Sequence, residues 1–186
     1  MRSLVLAGGK SSRIGVDKAL IKINGESMIC RVVNSLSRAG LEPIRVSVAR
    51  VSDIEEYGST LDENIDLEWV LDSNTQGGPI EAIEEGLLDH MLGGETLQLA
   101  AVDYPWISSD LFVSLQNRIG VGDSLIMPHD GEWLHPLLAL IRPKPVLEQI
   151  RGDRRPLHIQ FSEMSHSLLL EDPKTLTNLN SLEDLK

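Results

Sequence analysis

A chain of 186 residues with 41% hydrophobic and 24% charged side chains has the length and make-up of one unit with a real core. No apolar stretch approaches the ~20 residues of a membrane helix, which excludes the bilayer as solvent. A net charge of -11 argues against nucleic acid as the main partner, and a single cysteine, Cys30, with no Cys/His cluster at zinc-like spacing, leaves neither an internal disulfide nor structural zinc.

The first apolar run, Ser3 to Ala7, closes on Gly8-Gly9 and reads as a buried strand entering a loop. It is too short for the apolar region of a signal peptide, so the expected compartment is the cytoplasm. A long loop leads to Met28, Ile29, Val32, Val33 and Leu36 at helical spacing, with Gly40 as the stop and Cys30 within the pattern. Ile44 to Val48 reads as a strand, Ser52 to Tyr57 as a short helix, and Leu67 to Leu71 as a strand ending at Asp72. A helix from Pro79 to Met91 precedes a strand from Leu97 to Val102, which ends at Asp103. Ser108 is the expected N-cap of a helix reaching Ile119, and Ser124 to Met127 resumes the strand pattern. Beyond it the spacing predicts a hairpin through Asp130-Gly131 into Leu134 to Ile141, a helix over Pro145 to Ile150 and a strand over Ser167 to Leu170. With no repeat or linker, the expectation is one α/β domain over residues 1–186, a mainly parallel sheet covered on both faces.

Charge is unevenly distributed along this pattern. Residues 1 to 22 hold Arg2, Lys10, Arg13, Lys18 and Lys22 against Asp17 alone, whereas the remainder is strongly acidic. A basic island on an acidic chain points to a small anionic ligand. Ligands of open α/β sheets lie at the carboxyl ends of strands, here Gly8-Gly9, Ser47, Asp72 and Asp103. Glycines let the backbone approach an anion and present successive N–H groups to it. Two familiar phosphate loops do not fit: a P-loop would need glycine at Leu4, and a dinucleotide fingerprint would need it at Lys10. Read alone, Gly8-Gly9 is an ordinary turn; the three cations Lys10, Arg13 and Lys18 close behind it favour phosphate. Asp103, before Pro105, reads either as a turn aspartate or as a ligand for Mg2+, which takes one or two carboxylates and fills the rest with water and phosphate.

The stretch Leu6-Ala7-Gly8-Gly9-Lys10-Ser11-Ser12-Arg13-Ile14-Gly15-Val16-Asp17-Lys18 resembles the signature loop of the molybdenum cofactor guanylyltransferases, within the wider nucleotidyltransferases. Gly77-Gly78-Pro79, Asp103-Tyr104-Pro105, His129-Asp130-Gly131, His135-Pro136 and Asn178-Leu179-Asn180 resemble that family's landmarks in order, over nearly the whole chain. The resemblance implies a Rossmann-like three-layer fold and a loop, with Leu6, Ala7, Gly8 and Gly9, that wraps the triphosphate of GTP. It further implies Lys18 on phosphate, Ser47, Asp72 and Gly78 in the nucleotide site, Asp72 near the guanine, and Asp103 on Mg2+. It puts His135, Asn178 and Asn180 on the side of the acceptor, molybdopterin or molybdenum cofactor. Arg151, Arg154, Arg155 and His158 form a second basic cluster, either a solvated helix end or, since the family carries a Gly-x-Arg stretch here, an anchor for the acceptor's phosphate, with Arg155 the expected contact. Two departures bear on base selectivity: Pro79 is followed by Ile80-Glu81-Ala82 where the family usually has Leu-Ala-Gly, and Ser47 stands where an Asn is common.

The expected reaction is in-line attack of the acceptor's terminal phosphate on the α-phosphorus of Mg-GTP, with release of pyrophosphate. A phosphate monoester with a second pKa near ~6 is already largely dianionic, so no general base is needed. Arg13 and Lys18 would stabilise phosphate charge, and Asp103 would hold the metal. Transient contacts with other cofactor-biosynthesis proteins are compatible with this role. The competing readings are a transferase that uses CTP or a sugar or lactate phosphate, and a nucleotide-binding module without catalysis.

Overall fold

In β1 (Ser3–Leu6) all four residues are buried, as an apolar run at the centre of a sheet requires. A computed structural model of the chain describes residues 2–8, 17–73, 78–88 and 95–179. After β1 the described chain resumes at Asp17, which caps a 3-10 turn over Lys18–Leu20. Next comes a small hairpin of β2 (Lys22–Ile23) and β3 (Glu26–Ser27). Its turn is Asn24-Gly25, both at positive φ, the conformation that two-residue hairpins demand. This hairpin lies in the stretch expected as loop.

Helix α1 (Met28–Arg38) starts where the Ser27 hydroxyl accepts from Cys30 N–H, and it buries Met28, Ile29, Val32, Val33 and Leu36, its expected face. The chain continues through β4 (Ile44–Val48), α2 (Val51–Gly58), β5 (Leu67–Leu71), α3 (Gly78–Leu88), β6 (Leu97–Ala101) and α4 (Ser109–Arg118). Ser108 caps α4 as expected, accepting from Leu111 N–H. Beyond Leu88 the helix expected to reach Met91 passes outside the described residues. The last third holds β7 (Leu125–His129), a 3-10 turn at Pro136–Leu138, β8 (Leu140–Ile141), α5 (Pro143–Ile150), α6 (Leu157–Ser162) and β9 (His166–Leu170).

The seven-stranded sheet runs β5-β4-β1-β6-β8-β7-β9. Every strand is parallel to the others except β8, which pairs antiparallel with both β6 and β7. The segment expected as one strand from Leu134 to Ile141 is therefore different. Leu134 makes only a bridge to His129, Pro136 opens a 3-10 turn, and the strand proper is Leu140–Ile141. Proline has no N–H to continue a ladder, which explains the interruption. Helices cover both faces. Ser3 Oγ donates to Leu41 O, just beyond α1, whereas the neighbouring Leu4 points the other way and meets Gly86 of α3. No helix among the described residues is long and apolar enough to cross a membrane.

Candidate active site

Parallel strands deliver their carboxyl ends to one edge of the sheet, and residues 7–8, 47, 72 and 103 all arrive there. Ala7 N–H donates to Ser47 O at 2.9 Å, Val102 N–H to Leu6 O at 3.2 Å and Asp72 N–H to Val48 O at 2.9 Å, so the ends of β1, β4, β5 and β6 are laced together. Leu6 and Ala7 are buried. Ser47 Oγ donates to Asp72 Oδ1. The other oxygen of that carboxylate occupies the space where a side chain on Gly8 would begin, and the Ala49 nitrogen stands 3.3 Å from the same point. Gly8 thus permits a close approach, as its type implies, and in this structure the approaching anion is Asp72. Burial raises the Asp72 carboxyl above the usual range; the Ser47 hydrogen bond pulls it down and the charge of Glu85 pushes it up. Gly78 begins α3 at φ +75°, a backbone conformation that favours glycine.

Lys18 and Asp103 meet at the same edge. Lys18 Nζ lies 3.6 Å from Asp103 Oδ1 and donates to Leu179 O at 2.9 Å. Leu179 N–H in turn donates to Asp103 O at 2.8 Å. One residue near the carboxyl end of the chain therefore holds the cation through its carbonyl and the backbone of the acidic residue through its amide. Burial raises the Asp103 carboxyl above its ordinary value, and the charge and hydrogen bond of Lys18 oppose that rise. The approach to Lys18 is set by Asp17, whose Oδ1 accepts from Ala19 N–H at 3.0 Å and whose Oδ2 accepts from the buried Tyr57 hydroxyl at 2.7 Å. Burial first, then the bond to Asp17, pushes the Tyr57 phenol far above its usual value. Arg50 links the two halves of this corner, 3.6 Å from Asp17 Oδ2 and 2.7 Å from Asp53 Oδ1.

Beyond Asp103 the structure gathers His135 and Asn178 around Tyr104. His135 Nδ1 lies 3.4 Å from the Tyr104 hydroxyl and its Nε2 lies 3.4 Å from Asp130 Oδ2, while the two rings meet edge to face at 5.7 Å. Asn178 hydrogen-bonds the same phenol, which burial pushes up. Asn178 Oδ1 is buried with no partner among the described residues, a state that costs about 1–3 kcal/mol until a donor reaches it. Burial lowers the His135 imidazole below its ordinary value, with Asp130 opposing. Arg155 stands apart in its bonding: its guanidinium is held by Asp153 at 2.7 Å and Glu163 at 2.7 Å, so an anion there would compete with two carboxylates. Its neighbour Arg154 pairs with Glu81 and Glu84 of α3.

Gly9, Lys10, Arg13, Gly77 and Asn180 lie outside the described residues. Sequence reasoning did not single out Asp17, Arg50, Tyr57, Tyr104 or the Leu179 backbone. Asp17 and Tyr104 sit inside the signature loop and the Asp103-Tyr104-Pro105 landmark, whereas a backbone carbonyl carries no residue signature. No group of three or more His, Cys, Asp or Glu side chains fit to hold a metal occurs among the described residues. One half-buried carboxylate, Asp103, beside a lysine suits a hard cation that takes most of its ligands from water and phosphate oxygens.

The family model for the MobA-like NTP transferase domain matches residues 3–166. A molybdenum cofactor guanylyltransferase of Photobacterium profundum is 28% identical over 98% of this chain and 92% of its own length. A probable molybdenum cofactor guanylyltransferase of Methanosarcina acetivorans is 27% identical over 99% of this chain and 88% of its own. Among solved structures, molybdopterin-guanine dinucleotide biosynthesis protein A from Archaeoglobus fulgidus superposes with a TM-score of 0.72 at 21% identity, covering 100% of this chain and 95% of that one. A nucleotidyl transferase from Methanothermobacter thermautotroptrophicus superposes with a TM-score of 0.80 at 18% identity, covering 98% and 93%. Both likenesses extend to the fold.

Proposed function

Because the chain belongs to the family of MobA-like NTP transferase domains, we propose that it is a nucleotidyltransferase that passes GMP from GTP to the terminal phosphate of molybdopterin or molybdenum cofactor, releasing pyrophosphate. The observation that carries this reading is the Lys18–Asp103 pair at the strand-end edge, clasped by Leu179. Lys18 supplies positive charge to the phosphates and to the departing pyrophosphate. Asp103 is the residue that would hold Mg2+, whose role is to offset charge on the phosphate oxygens. Ser47, Asp72 and Gly78 line the nucleotide end, and Asp72 is a natural acceptor for the N–H groups on the edge of guanine.

The attacking oxygen belongs to a phosphate that is already deprotonated, so the protein's part is positioning and charge stabilisation. On the acceptor side, His135 and Asn178 gather around the Tyr104 hydroxyl. Both groups adjoin Asp103, through the covalent neighbour Tyr104 and through Leu179. The two substrates thus converge on one carboxylate.

Pyrophosphate release, measured with each of the four triphosphates against molybdopterin and a panel of sugar phosphates, tests the reading. GTP with molybdopterin is the expected pair, and Asp103→Ala should lower turnover roughly 10²- to 10³-fold, by analogy with lost charge-stabilising contacts. Binding of Mg-GTP with no pyrophosphate from any acceptor would make the chain a binding module.

A further inference from the structure

The ribbon after β7 carries an aromatic side chain with no part in the reaction described so far. Trp133 is 69% exposed, whereas Trp69 and Trp106 are half-buried. Its backbone is firmly held. Asp130 Oδ1 accepts from Glu132 N–H at 2.9 Å and from Trp133 N–H at 2.7 Å, and Asp130 N–H donates to Trp133 O at 3.3 Å. The other oxygen of Asp130 faces His135. A single carboxylate therefore holds the backbone that carries the exposed indole and faces the buried imidazole.

Register decides which way the indole points. His129 lies opposite Leu134 and beside Leu170, so those three side chains share one face of the ribbon. Trp133 and His135 flank Leu134 and turn to the other face, the one on which the His135 ring meets Tyr104. The exposed Leu168 and Leu170 belong to the opposite face and form no common patch with the indole. Trp133 is thus an exposed aromatic plane on a held backbone, on the face of the ribbon that carries His135.

We propose that Trp133 is the stacking face for a planar heteroaromatic ring carried by the acceptor phosphate. The inference rests on the reading of the acceptor as a pterin phosphate. An indole offers a large π surface at low entropic cost, and a flat ring laid on it would lie on the same face of the ribbon as His135. Stacking of a flat base on an aromatic side chain is strong enough that truncating the side chain weakens binding about tenfold.

The test uses the full chain with Trp133→Ala and Trp133→Phe, assayed by steady-state pyrophosphate release from GTP and molybdopterin. Trp133→Ala should raise the acceptor KM about tenfold, leave the GTP KM and kcat within about twofold, and be largely rescued by Trp133→Phe. A free oxidised pterin should quench the tryptophan emission of the unsubstituted chain, and Trp133→Phe should abolish that quenching, which gives a readout independent of turnover and of the alanine variant's folding. An unchanged acceptor KM in a well-folded Trp133→Ala chain overturns the stacking role while leaving pterin transfer standing. A GTP KM that rises with the acceptor KM puts the indole on the nucleotide and also overturns it. Turnover with a sugar phosphate but not with molybdopterin overturns both the stacking role and the reading on which it rests.

Discussion

Replacing Gly8 by alanine would put a Cβ where Asp72 Oδ2 already lies, 3.3 Å from the Ala49 nitrogen. The backbone at this point is tied between β1 and β4, so the carboxylate must swing away and give up the hydrogen bond from Ser47. A hydrogen bond to a charged acceptor is worth about 1.5–3 kcal/mol, but Asp72 is not fully buried and would regain water, which favours the lower end. Adding the crowding at Ala49 gives about 2 kcal/mol in all, and in a chain of 186 residues a loss of that size lowers Tm by about 4–8 °C. Thermal unfolding of Gly8→Ala in the native chain and in an Asp72→Ala background measures it. In the second background the collision partner is gone, and the same substitution should cost no more than about 0.5 kcal/mol. GTP titration by calorimetry should show weaker binding for Gly8→Ala, because the displaced carboxylate can no longer meet the base. An equal cost in both backgrounds would refute the close approach of Asp72 to Gly8 as the reason for glycine here.

Tyr57→Phe deletes the buried 2.7 Å bond to Asp17 while keeping the ring, and should cost about 1 kcal/mol by urea unfolding. It should also raise the GTP KM several-fold, because Asp17 sets the turn that presents Lys18; a KM unchanged beside a measured loss of stability would confine Tyr57 to the core. His135 gives a pH dependence. Its folded-state value lies below the unfolded value of about 6.5, so its neutral form contributes stability that is fully present above that pH and is lost as pH falls through the folded value. The urea midpoint should therefore fall as the pH drops below about 6.5, with a shallower slope in His135→Asn. Identical slopes in the two proteins would show that the imidazole takes up its proton without penalty.

What is legible in the sequence follows from burial. The strands β1, β4 and β6 are buried at every position and appear as short apolar runs, and α1 buries the residues its spacing selects. The strand-end rule then found Ser47, Asp72 and Asp103 without knowledge of which strands adjoin. The β2–β3 hairpin was missed because two residues per strand carry no periodicity, although Asn24-Gly25 is the pair that such turns favour. The antiparallel insertion of β8 between β6 and β7 has no local signature, since both neighbours were needed to define it. Arg155 looked like an anion anchor because charge along the chain is visible and pairing is not; Asp153 and Glu163 close on it only in three dimensions. Trp133 was passed over because its exposure, the property that marks it, belongs to the folded ribbon.

The clasp at Leu179 bears on the order in which the molecule is made. The Lys18–Leu179 hydrogen bond joins residues 161 positions apart, nearly the full span of the chain. Closing a loop of that length costs on the order of 4–5 kcal/mol of chain entropy if nothing intervenes, and far less once the sheet has already brought β1 and β6 together. During synthesis the sheet strands β1, β4, β5 and β6 emerge well before residue 179, so Lys18 and Asp103 are both made long before the Leu179 carbonyl to which the lysine donates. A growing chain arrested after β9 should accordingly be inactive, because the stretch with the buried Leu176 and Leu179 has still to turn the scaffold into a site.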